Sequence, residues 1–95
     1  MVKFEGKTGS KTVGVTAVQL DSQELAFDII SIRAASANTG TIYVGYNSSV
    51  TAGTSESTDG YPLFAEDEKF VFLNNLNKIY LISDTAGQKI FFDGQ

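Results

Sequence analysis

Asn38-Thr39-Gly40-Thr41-Ile42-Tyr43-Val44-Gly45 reads as a tight turn that feeds directly into a short strand. Gly40 suits the positive φ that ends such a turn, and Asn38 can close it with its own side chain. Thr41, Ile42, Tyr43 and Val44 all favour extended backbone. On that strand Ile42, Val44 and Tyr46 fall on one face and Thr41 and Tyr43 on the other. Tyr43, set between two aliphatics, is expected to be mostly buried. Asn75-Leu76-Asn77-Lys78-Ile79-Tyr80-Leu81 repeats the arrangement, with turn-forming asparagines ahead of an Ile-Tyr-aliphatic triplet. Both stretches are structural, and neither carries catalytic chemistry.

On the C-terminal side of the first strand, residues 51–60 hold almost no apolar side chain and predict a long surface loop without burial to anchor it. Tyr61-Pro62-Leu63-Phe64 is a brief apolar run whose proline confines it to a sheet edge or a turn. Ala65-Glu66-Asp67-Glu68 is a charged turn, residues 69–73 and 79–83 resume as strands, and Asp84-Thr85-Ala86-Gly87 leads into a last strand over residues 88–92. On the N-terminal side, Val13 and Val15 alternate on one parity and Val18 and Leu20 on the other. Leu25, Phe27 and Ile29 then give way in the same manner to Ile30, Ile32 and Ala34. Each parity change marks a bulge or a stretch buried on both faces. Asp21 and Glu24 have the spacing of a helical capping box, but the β-branched run Ile29, Ile30, Ile32 and the strand-like neighbours favour a strand here.

Six to eight strands result, with a turn signal every eight to twelve residues and no clear helix, so an all-β chain is expected: a small antiparallel β-sandwich or barrel, jelly-roll-like. Ninety-five residues suffice for one domain with one core. Residues 1–11 combine Gly6, Gly9 and Ser10 with Lys3, Lys7 and Lys11 around Phe4, and predict a flexible N-terminal arm; residues 12–95 form the β domain. Gly6-Lys7-Thr8 has the ending of a phosphate-binding loop, but Met1 stands where its first glycine is required.

The chain has no cysteine and no histidine, which excludes disulfides, thiol chemistry, zinc sites built on those ligands and nucleophile pairs that use them. No apolar run follows the N-terminal residues, so neither a signal peptide nor a membrane partner is expected. Net charge is -4; residues 1–20 carry three lysines against Glu5, or +2, and the remainder carries -6. Such an acidic body argues against a nucleic-acid partner. Glu66, Asp67, Glu68 and Asp59 are the one dense carboxylate group, but they lack the spacing of a calcium loop and read as a solvated turn. No cofactor, metal or catalytic residue is expected. Phe70 and Phe72 share a strand face while Phe91 and Phe92 point opposite ways, so at least one large aromatic should meet solvent or another subunit.

Asn38-x-Gly40-x-Ile42-Tyr43-Val44-Gly45, a Ser/Thr/Gly loop, Leu63 with its acidic turn, and Asn75-Leu76-x-Lys78-Ile79-Tyr80 together resemble small accessory proteins of tailed-bacteriophage virions: head decoration, capsid cement or head-fibre components. A Pro-Gly turn is the form expected ahead of the acidic segment in such proteins, and Ala65-Glu66-Asp67-Glu68 serves here instead. The resemblance implies a non-enzymatic structural protein, made in the host cytoplasm and located in the virion, that binds the major capsid protein or a neighbouring virion protein as a homotrimer. Lys3, Phe4, Lys7 and Lys11 would then be the docking residues, one aromatic anchor within a positive rim. A small carbohydrate- or receptor-binding β module, stacking a ligand on Tyr46 or Tyr61 beside loop 47–60, is the alternative; a tail-associated structural protein is a third reading.

Overall fold

The computed structural model describes residues 6–95. Eight strands form: β1 (Lys7–Val13), β2 (Val18–Gln19), β3 (Ala26–Ala34), β4 (Ile42–Gly45), β5 (Tyr61–Leu63), β6 (Glu68–Asn75), β7 (Tyr80–Ser83) and β8 (Gln88–Gly94), with one 3-10 turn over Leu76–Lys78. They assemble into two four-stranded sheets of order β1-β8-β3-β6 and β2-β7-β4-β5. Every pairing between strands is antiparallel. The neighbours β1 and β8, β2 and β7, β3 and β6, and β4 and β5 are the rungs of one long hairpin rolled up on itself. All connections except β4 to β5 cross between the sheets. This is the jelly-roll order, an open β-sandwich with two free edges on each sheet and no closed barrel.

The alternating residues build a single core between the sheets. Val13, Ile30, Ile32, Ala34, Val71, Ile90 and Phe92 point inward from one sheet and meet Ile42, Val44, Leu63 and Leu81 from the other, with Leu20, Leu76 and Ile79 closing it from the connections. Each fully buried Leu or Ile contributes about 1.5–3 kcal/mol of transfer free energy. Among the described residues no helix is long and apolar enough to cross a membrane.

The turn before β4 is held by side-chain hydrogen bonds to β8 in the opposite sheet and to the end of the neighbouring β7. Asn38 donates through Nδ2 to the Lys89 carbonyl at 2.8 Å and accepts the Lys89 N–H at 2.9 Å, so it substitutes for a strand residue instead of closing its own turn. Gln88 accepts the N–H groups of both Thr39 and Gly40 at 2.8 Å. Asp84 accepts the N–H of Thr41 at 2.9 Å. Positive φ occurs at Gly53, Gly87, Glu66 and Leu73 but not at Gly40. Gly40 is there for space: a Cβ would lie 2.5 Å from the Thr85 hydroxyl and 2.6 Å from the Asp84 carboxylate. Tyr43, expected to be mostly buried, is half-buried on the outer face of its sheet.

Both parity changes have structural causes. The first is a change of sheet: Val13 ends β1 in one layer, Val15 is exposed in the crossing, and Val18 opens β2 in the other. The second lies within β3, which is a strand and not the competing helix. Its pairing with β6 skips Asp28 and Leu73, and Leu73 takes a left-handed φ of 54°. Both strands change facing at that kink, so Phe27 packs on the core while Ile29 faces out.

The N-terminal boundary needs correction. Lys7 and Lys11 belong to β1, which pairs with β8 along its whole length from Lys7↔Gly94 to Val13↔Gln88. Residues 7–11 are therefore an edge strand and not part of a flexible arm. The rest of that arm, except Gly6, lies outside the described residues.

Candidate functional site

Because β4 to β5 is the one connection that stays within a sheet, the long segment between them projects from the closed end of the rolled hairpin. It was expected to be a loose loop, yet it is tied down at nearly every turn. Asn47 accepts both the N–H and the hydroxyl of Ser49. Val50 then buries its side chain against Gly45, where a Cβ would sit 2.6 Å from it. Thr51 and Asp59 form a parallel bridge, with the Thr51 N–H donating to the Thr58 carbonyl at 3.0 Å and Gly60 returning a bond to the Thr51 carbonyl at 3.2 Å.

Asp59 is the centre of this segment. Its Oδ1 accepts the Thr51 hydroxyl at 2.6 Å and the N–H groups of Gly53, Thr54 and Ser55 at 2.9, 3.0 and 3.1 Å. The Thr51 hydroxyl is the largest influence holding the carboxyl below the ordinary carboxylate range; partial burial opposes it, and the three backbone donors reinforce it. Gly53 has φ of +79°, and a Cβ there would lie 2.9 Å from the Tyr43 hydroxyl, so the loop folds back over the outer face of β4.

Beside Asp59 opens a cleft of about 440 Å³, lined among others by Tyr46, Asn47, Tyr61 and Lys69. The two tyrosines are 54% and 58% exposed. Tyr61 stands on edge strand β5 and Lys69 on edge strand β6 of the opposite sheet. The Lys69 ammonium lies 4.5 Å from the centre of the Tyr61 ring, a cation–π contact that closes the mouth of the sandwich. Gly60 passes so close to β4 that a Cβ would be 2.6 Å from the Val44 carbonyl oxygen.

The docking residues expected from sequence are not gathered into a site. Lys7 and Lys11 are half-buried on the side of β1 that faces the other sheet, together with Gly9, whereas Thr8 and Ser10 are exposed. Lys3 and Phe4 lie outside the described residues. Three of the four carboxylates are engaged apart from one another: Asp67 accepts the Phe64 N–H, Glu68 accepts the Ser31 hydroxyl, and Asp59 organises its own loop. Among the described residues no three acidic side chains converge as metal ligands.

A second exposed surface lies on the outer face of the sheet containing β6. Phe70 and Phe72 stand there at 51% and 63% exposure, next to Ile29 and Leu73; Phe91 of β8 is exposed on the same face beyond Ser31 and Arg33, with the Lys89 ammonium 5.4 Å from the centre of its ring. The register sets Ile29 opposite Phe72, Ser31 opposite Phe70 and Arg33 opposite Phe91. Phe92, one residue on, belongs to the core. The expectation of outward aromatics is therefore met several times over. Comparison with protein-family models, curated proteins and solved structures finds no match.

Proposed function

We propose that the chain is a non-enzymatic structural protein of a bacteriophage virion, a decoration or cement protein that sits on the assembled head as a homotrimer against the major capsid protein or a neighbouring virion protein. The observation that carries this reading is the cluster of exposed Ile29, Phe70 and Phe72 on the outer face, bordered by the edge of β6 that is unpaired among the described residues. An exposed aromatic cluster beside a free strand edge is a feature that an assembly covers and that a lone domain otherwise blunts with charge. Symmetric association brings several copies of one weak capsid contact together, each at high effective concentration. The turn and strand residues that carry the resemblance supply the fold of this protein: Asn38 anchors on β8, and Ile42, Val44, Leu76 and Ile79 are core.

Replacing both Phe70 and Phe72 by serine tests the reading without touching the core. Light scattering on the eluting protein should report a trimer for the parent chain and a monomer for the double variant, with thermal unfolding of the monomeric fold retained. Cosedimentation with the phage's own capsids should fall with it. Deletion of residues 2–5, which spares β1, separates a contribution of Lys3 and Phe4 from that of the sheet face. A parent protein that is monomeric both in solution and on the particle sinks the proposal.

A further inference from the structure

The geometry points to the cleft between Tyr46 and Tyr61 as a saccharide-binding site. Three features select that ligand class. First, Tyr46 and Tyr61 both line the cleft and are more than half exposed, and an aromatic face can stack against the C–H face of a pyranose. Second, the remaining lining is rich in neutral hydrogen-bonding groups: Asn47, Ser49, Ser57 and Thr58. All four bonds that Asp59 accepts fall on its Oδ1, so its Oδ2 is uncommitted among the described residues and can accept a pair of sugar hydroxyl protons. Third, the volume of about 440 Å³ lies within the roughly 300–1,000 Å³ range of small-ligand sites.

Other ligand classes fit less well. Among the described residues the one cation lining the cleft, Lys69, is engaged with the Tyr61 ring and faces a site that also contains Asp59, so an anionic ligand gains no net charge complement there. A purely apolar ligand would bury the hydroxyls and the carboxylate without partners, which is costly. A neutral, hydroxyl-rich ring meets both the aromatic and the polar lining. The loop is already ordered by its own hydrogen bonds, so little conformational freedom is lost on binding. The site is independent of the Phe70 and Phe72 face and would operate on a monomer or on each copy of an oligomer.

The test is a broad array of bacterial and animal glycans probed with the full chain, biotinylated and displayed on streptavidin so that weak single-site binding is amplified by multivalency. Binding to a defined group of neutral glycans is expected. Titration of the best oligosaccharide into isotope-labelled protein should then move the amide signals of Tyr46, Asn47, Gly60 and Tyr61. Tyr46→Ala and Tyr61→Ala should each weaken that binding by about tenfold or more, while Tyr46→Phe, which keeps the ring, should retain most of it. Phe70→Ser with Phe72→Ser should leave it unchanged. An array without binding overturns the assignment, as does binding that survives both alanine variants. Capsid-derived peptides that move the same amides where no glycan does would make the cleft a protein-docking site and also overturn it.

Discussion

Gln88→Leu removes the acceptor that fixes the turn ahead of β4 while keeping the side-chain volume near that of the original. Gln88 is 3% exposed, and its Oε1 takes the N–H groups of Thr39 and Gly40, each at 2.8 Å. Its Nε2 donates to the Ala86 carbonyl at 3.1 Å, with a longer approach of 3.4 Å to the Thr39 hydroxyl. Leucine leaves the two N–H groups and one carbonyl without this partner. A buried group left unsatisfied costs about 1–3 kcal/mol. Thr39 is exposed and Gly40 only half-buried, so water reaches part of the vacated site, and the expected loss is about 3 kcal/mol, not the sum of the maxima. For a domain of this size that corresponds to roughly 12–24 °C in Tm. The variant should still fold, because Asp84 and Asn38 tether the same turn separately at 2.9 and 2.8 Å. Urea unfolding should show a lower midpoint at unchanged slope, and amide exchange at Thr39 and Gly40 should accelerate far more than exchange in β3. A stability loss below about 1 kcal/mol with unchanged protection at both amides would refute the role given to Gln88.

Three further outcomes follow from backbone geometry and charge. Glu66 occupies the third position of the turn from Phe64 to Asp67, closed by an Asp67 N–H bond to the Phe64 carbonyl at 2.9 Å, and has φ of 71°. Glu66→Gly should therefore stabilise the protein by about 0.5 kcal/mol in urea melts, the relief of left-handed strain exceeding the added freedom of the unfolded chain; a loss would place that strain elsewhere. Gly60→Ala should cost about 1–3 kcal/mol, because its Cβ would strike Val44 backbone atoms that cannot rotate aside. Gly14→Ala, with nothing within 4 Å, should stay within about 0.5 kcal/mol, and equal effects at the two glycines would refute the packing argument. The folded-state pKa of Asp59 is depressed below its ordinary value near 3.8. Its contribution to stability is thus present above that value and is lost as pH falls through the folded one, so the stability gap between parent and Asp59→Asn should close on acidification in thermal melts. A gap independent of pH across that window contradicts the hydrogen-bonded carboxylate.

The β class was legible wherever the core alternates: Ile42 and Val44, Ile30 and Ile32, and Val71 all point inward as their spacing requires. The parity changes were legible as irregularities, but their causes were not. A crossing between sheets and a left-handed Leu73 leave the same mark on a hydrophobic pattern. Strand β1 was hidden for a steric reason. Ahead of Val13 its inward side is Lys7, Gly9 and Lys11, and the space above Gly9 is filled by the Phe92 ring, which would stand 2.7 Å from a Cβ. An edge strand whose neighbour supplies the bulk needs few apolar residues, so the part before Val13 reads as a polar arm.

The cleft was hidden for a different reason. Its loop contains little that burial could order, and burial is the signal that sequence periodicity carries. Order comes instead from one carboxylate, Asp59, collecting donors from the residues that precede it, a pattern with no fixed period. Tyr46 and Tyr61 could be picked out as aromatics beside a polar loop, but the sequence could not say that they flank one space. That follows from the rolled hairpin, which makes β4 and β5 adjacent partners and places Lys69, on the edge of the opposite sheet, over the Tyr61 ring. The same topology that leaves β5 and β6 as free edges therefore fixes one wall of the cleft, and the cation–π contact joins the two sheets across it. Loss of Lys69 would free the Tyr61 ring to turn, so the position of this cleft wall depends on an interaction between sheets and not on the loop alone.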